Sequence, residues 1–280
     1  MGTFLLPGQI DIPFMYSVQK IRDGRSFSTR NVHVTQGQSE DLCFSGIMSF
    51  KMPETSWLDV QDRTNPWEQY GSVLQGKRPE DFPEVPGMDM PLYLKVREET
   101  GYNDNFPGLE NTQVDMTAYN KDKHPLDRRT LMFYRVIGQL PLDPNLHRCA
   151  HLYESDRNSL FHVANHMDVG DVYTQMGTLV HTTMFHSTTK NLMFGPSENR
   201  NSPMDNASAK GRWFAHEDWF DRTSNGRTLY HGRLLAADGT HVATVVQDGM
   251  LRYTKKPDAS EQEIATLRDR EKSWKAREKL

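Results

Sequence analysis

The sequence predicts an α+β protein built from two units of one sheet type, and three observations carry that prediction. Asp-Gly pairs at 23–24 and 238–239 stand between extended runs, a well-capped helix opens at Asp143, and several antiparallel strand candidates follow that helix. At 280 residues the chain has room for roughly two domains of about 150 residues each. An apolar fraction of 36% beside 25% charged residues is too mixed for a wholly disordered chain and too polar for a membrane protein.

The first unit reads as a meander. An apolar run from Ile12 to Ile21 leads to the turn Arg22-Asp23-Gly24-Arg25, followed by an alternating segment from Ser26 to Gln36 and a third extended run from Leu42 to Met52. Glycine accepts positive φ without steric cost, so Asp-Gly between extended runs marks a hairpin. The Pro-rich stretch from Pro53 to about Pro91 has little periodicity and reads as an excursion with one short helix and no chemistry.

In the second unit Gln113 to Tyr119 and Thr130 to Gln139 read as extended. Asp143 can cap orphan helical amides and Pro144 sits where its missing N–H costs nothing. Leu146, Cys149, Ala150, Tyr153 and Leu160 then recur at helical spacing, with Asp156 expected on the same apolar stripe and therefore partly desolvated. Strands are predicted at Met176 to Phe185, Thr228 to Leu235, Thr240 to Gln247 and Met250 to Tyr253. A low-periodicity loop spans Ser187 to Lys210, and a charged, solvated helix starts at Ser260. The expected organisation is an N-terminal unit over 1–105, a C-terminal unit over 106–256 and a tail helix over 257–280.

Charge and cysteine usage narrow the function. Lys+Arg 33 against Asp+Glu 37 gives 33 − 37 = −4, and the positive charges are scattered, which argues against nucleic acid as a partner. Cys43 and Cys149 lie in apolar-patterned segments and are expected as buried free thiols. No apolar stretch reaches the roughly 18 residues of a membrane span, and Met1 to Leu6 is too short for a secretory signal, so the chain reads as intracellular. His162/His166 and His181/His186 lack a carboxylate or cysteine at ligand spacing, so no metal is expected. Phosphate-cradling glycine loops and a G-x-S-x-G elbow are absent from the sequence. What remains is Asp156, Thr178 at the start of an apolar strand and Gln247 at the end of another, each with an ordinary structural explanation when taken alone.

Together with their surroundings these residues resemble the type II acyl-CoA thioesterase family, the double-hotdog enzymes of bacteria and peroxisomes. The resemblance rests on Phe4-Leu5-Leu6-Pro7-Gly8, Tyr16-Ser17-Val18 and the run Ile21 to Arg30 in the first half. In the second half it rests on Tyr153-Glu154-Ser155-Asp156, Gly177-Thr178-Leu179-Val180-His181, Met184-Phe185-His186 and Val246 to Arg252, over residues 3 to 253 in all. It implies a double hotdog, antiparallel sheets each wrapping a central helix, that hydrolyses acyl-CoA thioesters without a cofactor. It places the catalytic aspartate on Asp156, the catalytic threonine or serine on Thr178 and the catalytic glutamine on Gln247. A carboxylate that takes a proton from water, oriented by a hydroxyl and a carboxamide, suits thioester hydrolysis with no acyl-enzyme. Arg22, Arg25 and Arg30 are candidates for binding the nucleotide of CoA, or are simply hairpin surface charges.

Three departures from the family pattern stand out. Family members carry an opening strand and a Gly-Gly-Gln helix ahead of the Phe4 block, and this chain begins after them. The first hotdog is therefore expected to lack that strand and helix and to expose an apolar face, so that it is either destabilised or covered by a partner chain, as in a homo-oligomer formed through the sheets. Val180 stands where the family usually has aspartate, and the loop from Ser187 to Lys210 is longer than usual, either idle or a lid. The terminal Glu278-Lys279-Leu280 matches a peroxisomal signal at two positions only, leaving peroxisome and cytoplasm level. The competing reading is a non-catalytic acyl-CoA-binding or assembly protein.

Overall fold

In the computed structural model the described residues are 1–9, 11–62, 65–101, 106–170, 172–187, 189–195 and 211–253. The predicted tail helix and most of the loop from Ser187 to Lys210 lie outside them. Ten strands form one sheet: β1 (Gly2–Phe4), β2 (Phe14–Asp23), β3 (Phe27–Gln36), β4 (Phe44–Lys51), β5 (Leu109–Gln113), β6 (Thr130–Val136), β7 (Tyr173–Phe185), β8 (Phe214–Ser224), β9 (Arg227–Leu235) and β10 (His241–Tyr253). Their order is β2-β3-β4-β1-β7-β10-β9-β8-β6-β5, and every pairing is antiparallel.

The helical pieces are α1 (Pro66–Gln69), α2 (Gly71–Leu74), α3 (Pro91–Thr100), α4 (Thr117–Asn120), α5 (Pro144–Glu154), α6 (Ser159–His166) and α7 (Thr189–Leu192). Asp143 caps α5 by accepting from Asn145 N–H at 2.9 Å, with Pro144 in the first turn, as the sequence predicts. Both Asp-Gly hairpins form: Gly24 N–H donates to Phe27 O at 2.8 Å, and Gly239 (φ +83°) donates to Ala236 O at 2.9 Å.

The C-terminal half of the sheet is covered on both faces. One face wraps α5 and α6, and its core unites Tyr134, Val163, Phe214, Phe220, Tyr230, Leu234, Val245 and Leu251. The other face is covered by the Pro-rich excursion, whose Tyr70, Leu74 and Phe82 pack on Leu131, Phe133, Ala215 and Leu235. Trp67 stacks on Phe133 with ring centroids 5.2 Å apart. The N-terminal half is different: β2 is exposed at every position, and Ile47, Met48 and Phe50 of β4 are exposed as well.

Several expectations need correction. The helical stripe holds only in part: Ala150 packs on the core and Leu160 is buried, but Leu146, Cys149 and Tyr153 are exposed, while His147, His151 and Glu154 of α5 point inward and are buried. Buried polar partners pull that face in, because His151 Nδ1 meets Tyr134 OH at 2.7 Å and Asn111 donates to Glu154. Cys149 is accordingly an exposed thiol and only Cys43 is buried. The helix also breaks at 155–158, where Asn158 takes φ +53°, before α6 resumes.

Around Gln113 the strand lies at Leu109–Gln113, and the end of the predicted extended stretch, from Thr117 to Tyr119, falls in the helical turn α4. Thr240 to Gln247 and Met250 to Tyr253 are one strand, β10, with an irregularity between Asp248 and Gly249. β1, α3 and β8 carry no predicted counterpart. No helix among the described residues is long and apolar enough to cross a membrane.

Candidate active site

Asp156 sits in the break between α5 and α6, directly after the cap residue Ser155. Thr178 lies on β7 and Gln247 on the neighbouring β10. Gln247 faces Cα-to-Cα across to His181, and Gly249 faces Thr178, so two residues of β10 span three of β7. In an unbroken pleat His181 and Thr178, three apart, would face opposite sides of the sheet. The extra residue in β7 puts Thr178 on the side that Gln247 and His181 share.

Gln247 is fully buried and is the hub of the cluster. Its Nε2 donates to Asp156 Oδ1 at 2.7 Å and to Thr178 Oγ1. With both amide hydrogens committed, Thr178 keeps its own hydroxyl hydrogen for another acceptor. Ser159 Oγ adds a bond to Asp156 Oδ1 at 3.2 Å. Asp156 is not desolvated as the stripe implied, since its side chain is 49% exposed at the end of a helix. The carboxylate therefore stands between a buried donor and solvent.

His181 is a neighbour of this cluster that the sequence reading weighs only as half of a metal pair. Its side chain is 15% exposed, and Nδ1 lies 4.0 Å from Asp156 Oδ1. Nε2 contacts Ser155 Oγ at 2.9 Å and Thr183 Oγ1 at 3.2 Å. Burial holds the imidazole pKa below 6.5, against the opposing pull of Asp156. His181 Nδ1 and Gln247 Oε1 are both buried without a hydrogen-bond partner.

Beyond the cluster the interior holds further polar groups. Glu154 and His216 approach at 3.5 Å, and Tyr230 OH meets His216 Nε2 at 3.1 Å. His162 Nδ1 lies 2.9 Å from Asp218 and its Nε2 3.5 Å from Asp89. A cavity of about 570 Å³ lined by Asp89, Arg128, His162 and His166 adjoins this second group and includes none of Asp156, Thr178 and Gln247. Among the described residues no three His, Cys, Asp or Glu side chains are grouped to hold a metal ion.

Arg22, Arg25 and Arg30 are not gathered at the cluster. Val32 of β3, Gly46 of β4, Gly2 of β1 and His181 of β7 form one cross-strand row, so β3 stands three strand spacings, about 14 Å, from β7. Arg30 is two residues off that row and pairs with Asp23 at 2.7 Å, while Arg22 and Arg25 are exposed at the β2–β3 hairpin.

Comparison with known proteins adds an independent line. The family profile described as "Acyl-CoA thioesterase N-terminal domain" matches residues 1–51, and that described as "Acyl-CoA thioesterase" matches residues 109–250. "Acyl-CoA thioesterase 2" of Haemophilus influenzae is 24% identical over 258 residues, covering 90% of this chain and 78% of that protein. "Acyl-coenzyme A thioesterase 8" of Mus musculus is 24% identical over 275 residues, covering 93% and 74%. Among solved structures, an acyl-CoA thioesterase II, TesB2, from Mycobacterium marinum superposes with TM-score 0.64 at 22% identity, over 92% of this chain and 81% of that one. A protein with a hot dog fold from Alicyclobacillus acidocaldarius superposes with TM-score 0.61 at 15% identity, over 90% and 77%.

Proposed function

The chain belongs to the type II acyl-CoA thioesterase family and has its double-hotdog fold, and from that premise we propose that Asp156, Thr178 and Gln247 carry the hydrolysis of an acyl-CoA to a carboxylic acid and CoA. The observation that supports this reading is the convergence of all three side chains on one buried amide nitrogen, Gln247 Nε2. Gln247 fixes the Asp156 carboxylate through Oδ1, and no hydrogen bond within the described residues reaches Oδ2. The carboxylate takes the proton of a water as the water's oxygen attacks the thioester carbonyl carbon. Thr178, held by Gln247 from one side, uses its remaining hydrogen to orient the water or the carbonyl oxygen. Collapse of the tetrahedral species breaks the C–S bond, the electron pair leaves on sulfur, and the proton on Asp156 returns to it as the CoA thiol.

The test is thiol release from acyl-CoA, followed with a chromogenic disulfide, for the native chain and for Asp156→Asn. The expected result is turnover by the native chain and at least a tenfold loss of kcat, about 1.4 kcal/mol of barrier, with the fold retained. Binding of a non-hydrolysable acyl-CoA without thiol release would instead make this a binding protein.

A further inference from the structure

We infer that His181 is the second acceptor for the attacking water: the water gives one hydrogen to the Asp156 carboxylate and points the other at His181 Nδ1. The inference deepens the proposed hydrolysis and rests on it. The first step is the tautomer. Ser155 has one hydroxyl hydrogen, and it is donated to Leu152 O at 2.7 Å. In the 2.9 Å contact between Ser155 Oγ and His181 Nε2 the hydrogen must therefore come from the ring, so Nε2 carries it. In the neutral imidazole, the form that burial favours here, Nδ1 is then a bare lone pair.

That lone pair is buried with no partner, which a folded protein rarely tolerates unless the atom is used. It lies 4.0 Å from Asp156 Oδ1, too far for direct contact. A water about 2.8 Å from each of two acceptors, with its tetrahedral angle, separates them by about 4.4 Å. The observed gap is thus close to that of two acceptors sharing one water molecule. A water so held has both hydrogens directed into the protein and its lone pairs directed outward, where half of Asp156 is exposed and an acyl thioester arrives. Only the hydrogen on Asp156 is transferred. The one on Nδ1 stays on oxygen through the attack, becomes the acid's hydroxyl hydrogen and is lost to solvent when the acid ionises.

The arrangement separates the two ring nitrogens into two tasks, and two substitutions separate them experimentally. Glutamine at 181 reaches the Nε2 position and keeps a donor for Ser155 but removes the acceptor beside Asp156. Asparagine offers its amide oxygen near the Nδ1 position and gives up the Ser155 bond. For His181→Gln the expected result is at least a tenfold fall in kcat with KM within about threefold. For His181→Asn it is a partial rescue, with kcat at least about fivefold above that of His181→Gln. A merely structural histidine predicts the reverse, since the Asn variant loses the tether. The inference is overturned if the Gln variant keeps native kcat, or if the Asn variant falls as far as the Gln variant. Should the Gln variant melt more than about 5 °C below native, the Asn variant alone decides: a kcat loss smaller than tenfold supports the inference and a larger loss overturns it. Asp156→Asn, assayed beside them, isolates the premise. Its loss of turnover with an unchanged Gln variant removes only the role of His181, whereas its full activity removes both.

Discussion

Replacing Gln247 by methionine isolates what the buried amide does. Methionine has the same unbranched length, fills the same space and offers no donor, so the pocket left by the substitution is small. Two bonds disappear: one to the Asp156 carboxylate at 2.7 Å and one to Thr178 Oγ1. A hydrogen bond to a charged partner is worth about 1.5–3 kcal/mol and one between neutral groups about 0.5–1.5 kcal/mol. The combined loss is about 2–4 kcal/mol where both act in the transition state, which is a fall in kcat of roughly 30- to 1,000-fold. KM should move little, because Gln247 is fully buried and cannot touch the substrate. Stability should also move little, within about 1 kcal/mol, since Asp156 is half exposed and water can replace the lost donor. Initial rates of thiol release over a range of acyl-CoA concentration give kcat and KM, and circular dichroism melting gives stability. A Gln247→Met protein with native melting and kcat within threefold of native would refute the reasoning.

Two further predictions concern the scaffold under the site. A Cβ added at Gly249 would lie 2.3 Å from Leu160 Cδ2 and 3.0 Å from Cδ1, so Gly249→Ala must push α6 away from β10. Overpacking of this kind costs about 1–3 kcal/mol, and the melting temperature should fall by several degrees; an unchanged melting temperature would show that Leu160 yields freely. Burial pushes the pKa of His151 down to about 3 and that of His166 down to about 4, while both return to about 6.5 on unfolding. The unfolded chain then binds more protons, so their contribution is full above pH 6.5 and is lost as pH falls from there toward 4, by up to about 1.4 kcal/mol per pH unit for each group. His162 has the opposite sign: Asp218 and Asp89 outweigh its burial and raise its pKa, so its contribution is full below pH 6.5 and is lost as pH rises. Urea unfolding free energy should therefore fall between pH 6 and 4.5, and a flat profile over that interval would contradict the buried neutral state of His151 and His166.

Local chemistry by itself determined the turns, the cap and most strands. The turn at Asp238-Gly239, where Gly239 takes φ +83°, and the Asp143-Pro144 start of α5 are set by a φ preference and orphan amides within a few residues, and the Asp23-Gly24 hairpin closes locally without positive φ at Gly24, so all three are legible without the rest of the chain. The family blocks also place Asp156, Thr178 and Gln247 in order along the sequence. What the tertiary structure decided is which faces are inside. β8 escapes prediction because Ala215-His216-Glu217-Asp218 is buried, and nothing near it in sequence says so. Its partners come from elsewhere: Tyr230 for His216, Tyr70 and Arg233 for Glu217, and His162 for Asp218. The same holds for His147, His151 and Glu154, which take the inward face of α5 from the apolar residues that periodicity favours. At the site, three residues of β7 opposite two of β10 turn Thr178 toward Gln247, against the alternation its spacing from His181 implies. A buried polar group is stable only with its partner in place, and that partner is chosen by strand pairing and helix placement across the whole fold, which no local window of sequence contains.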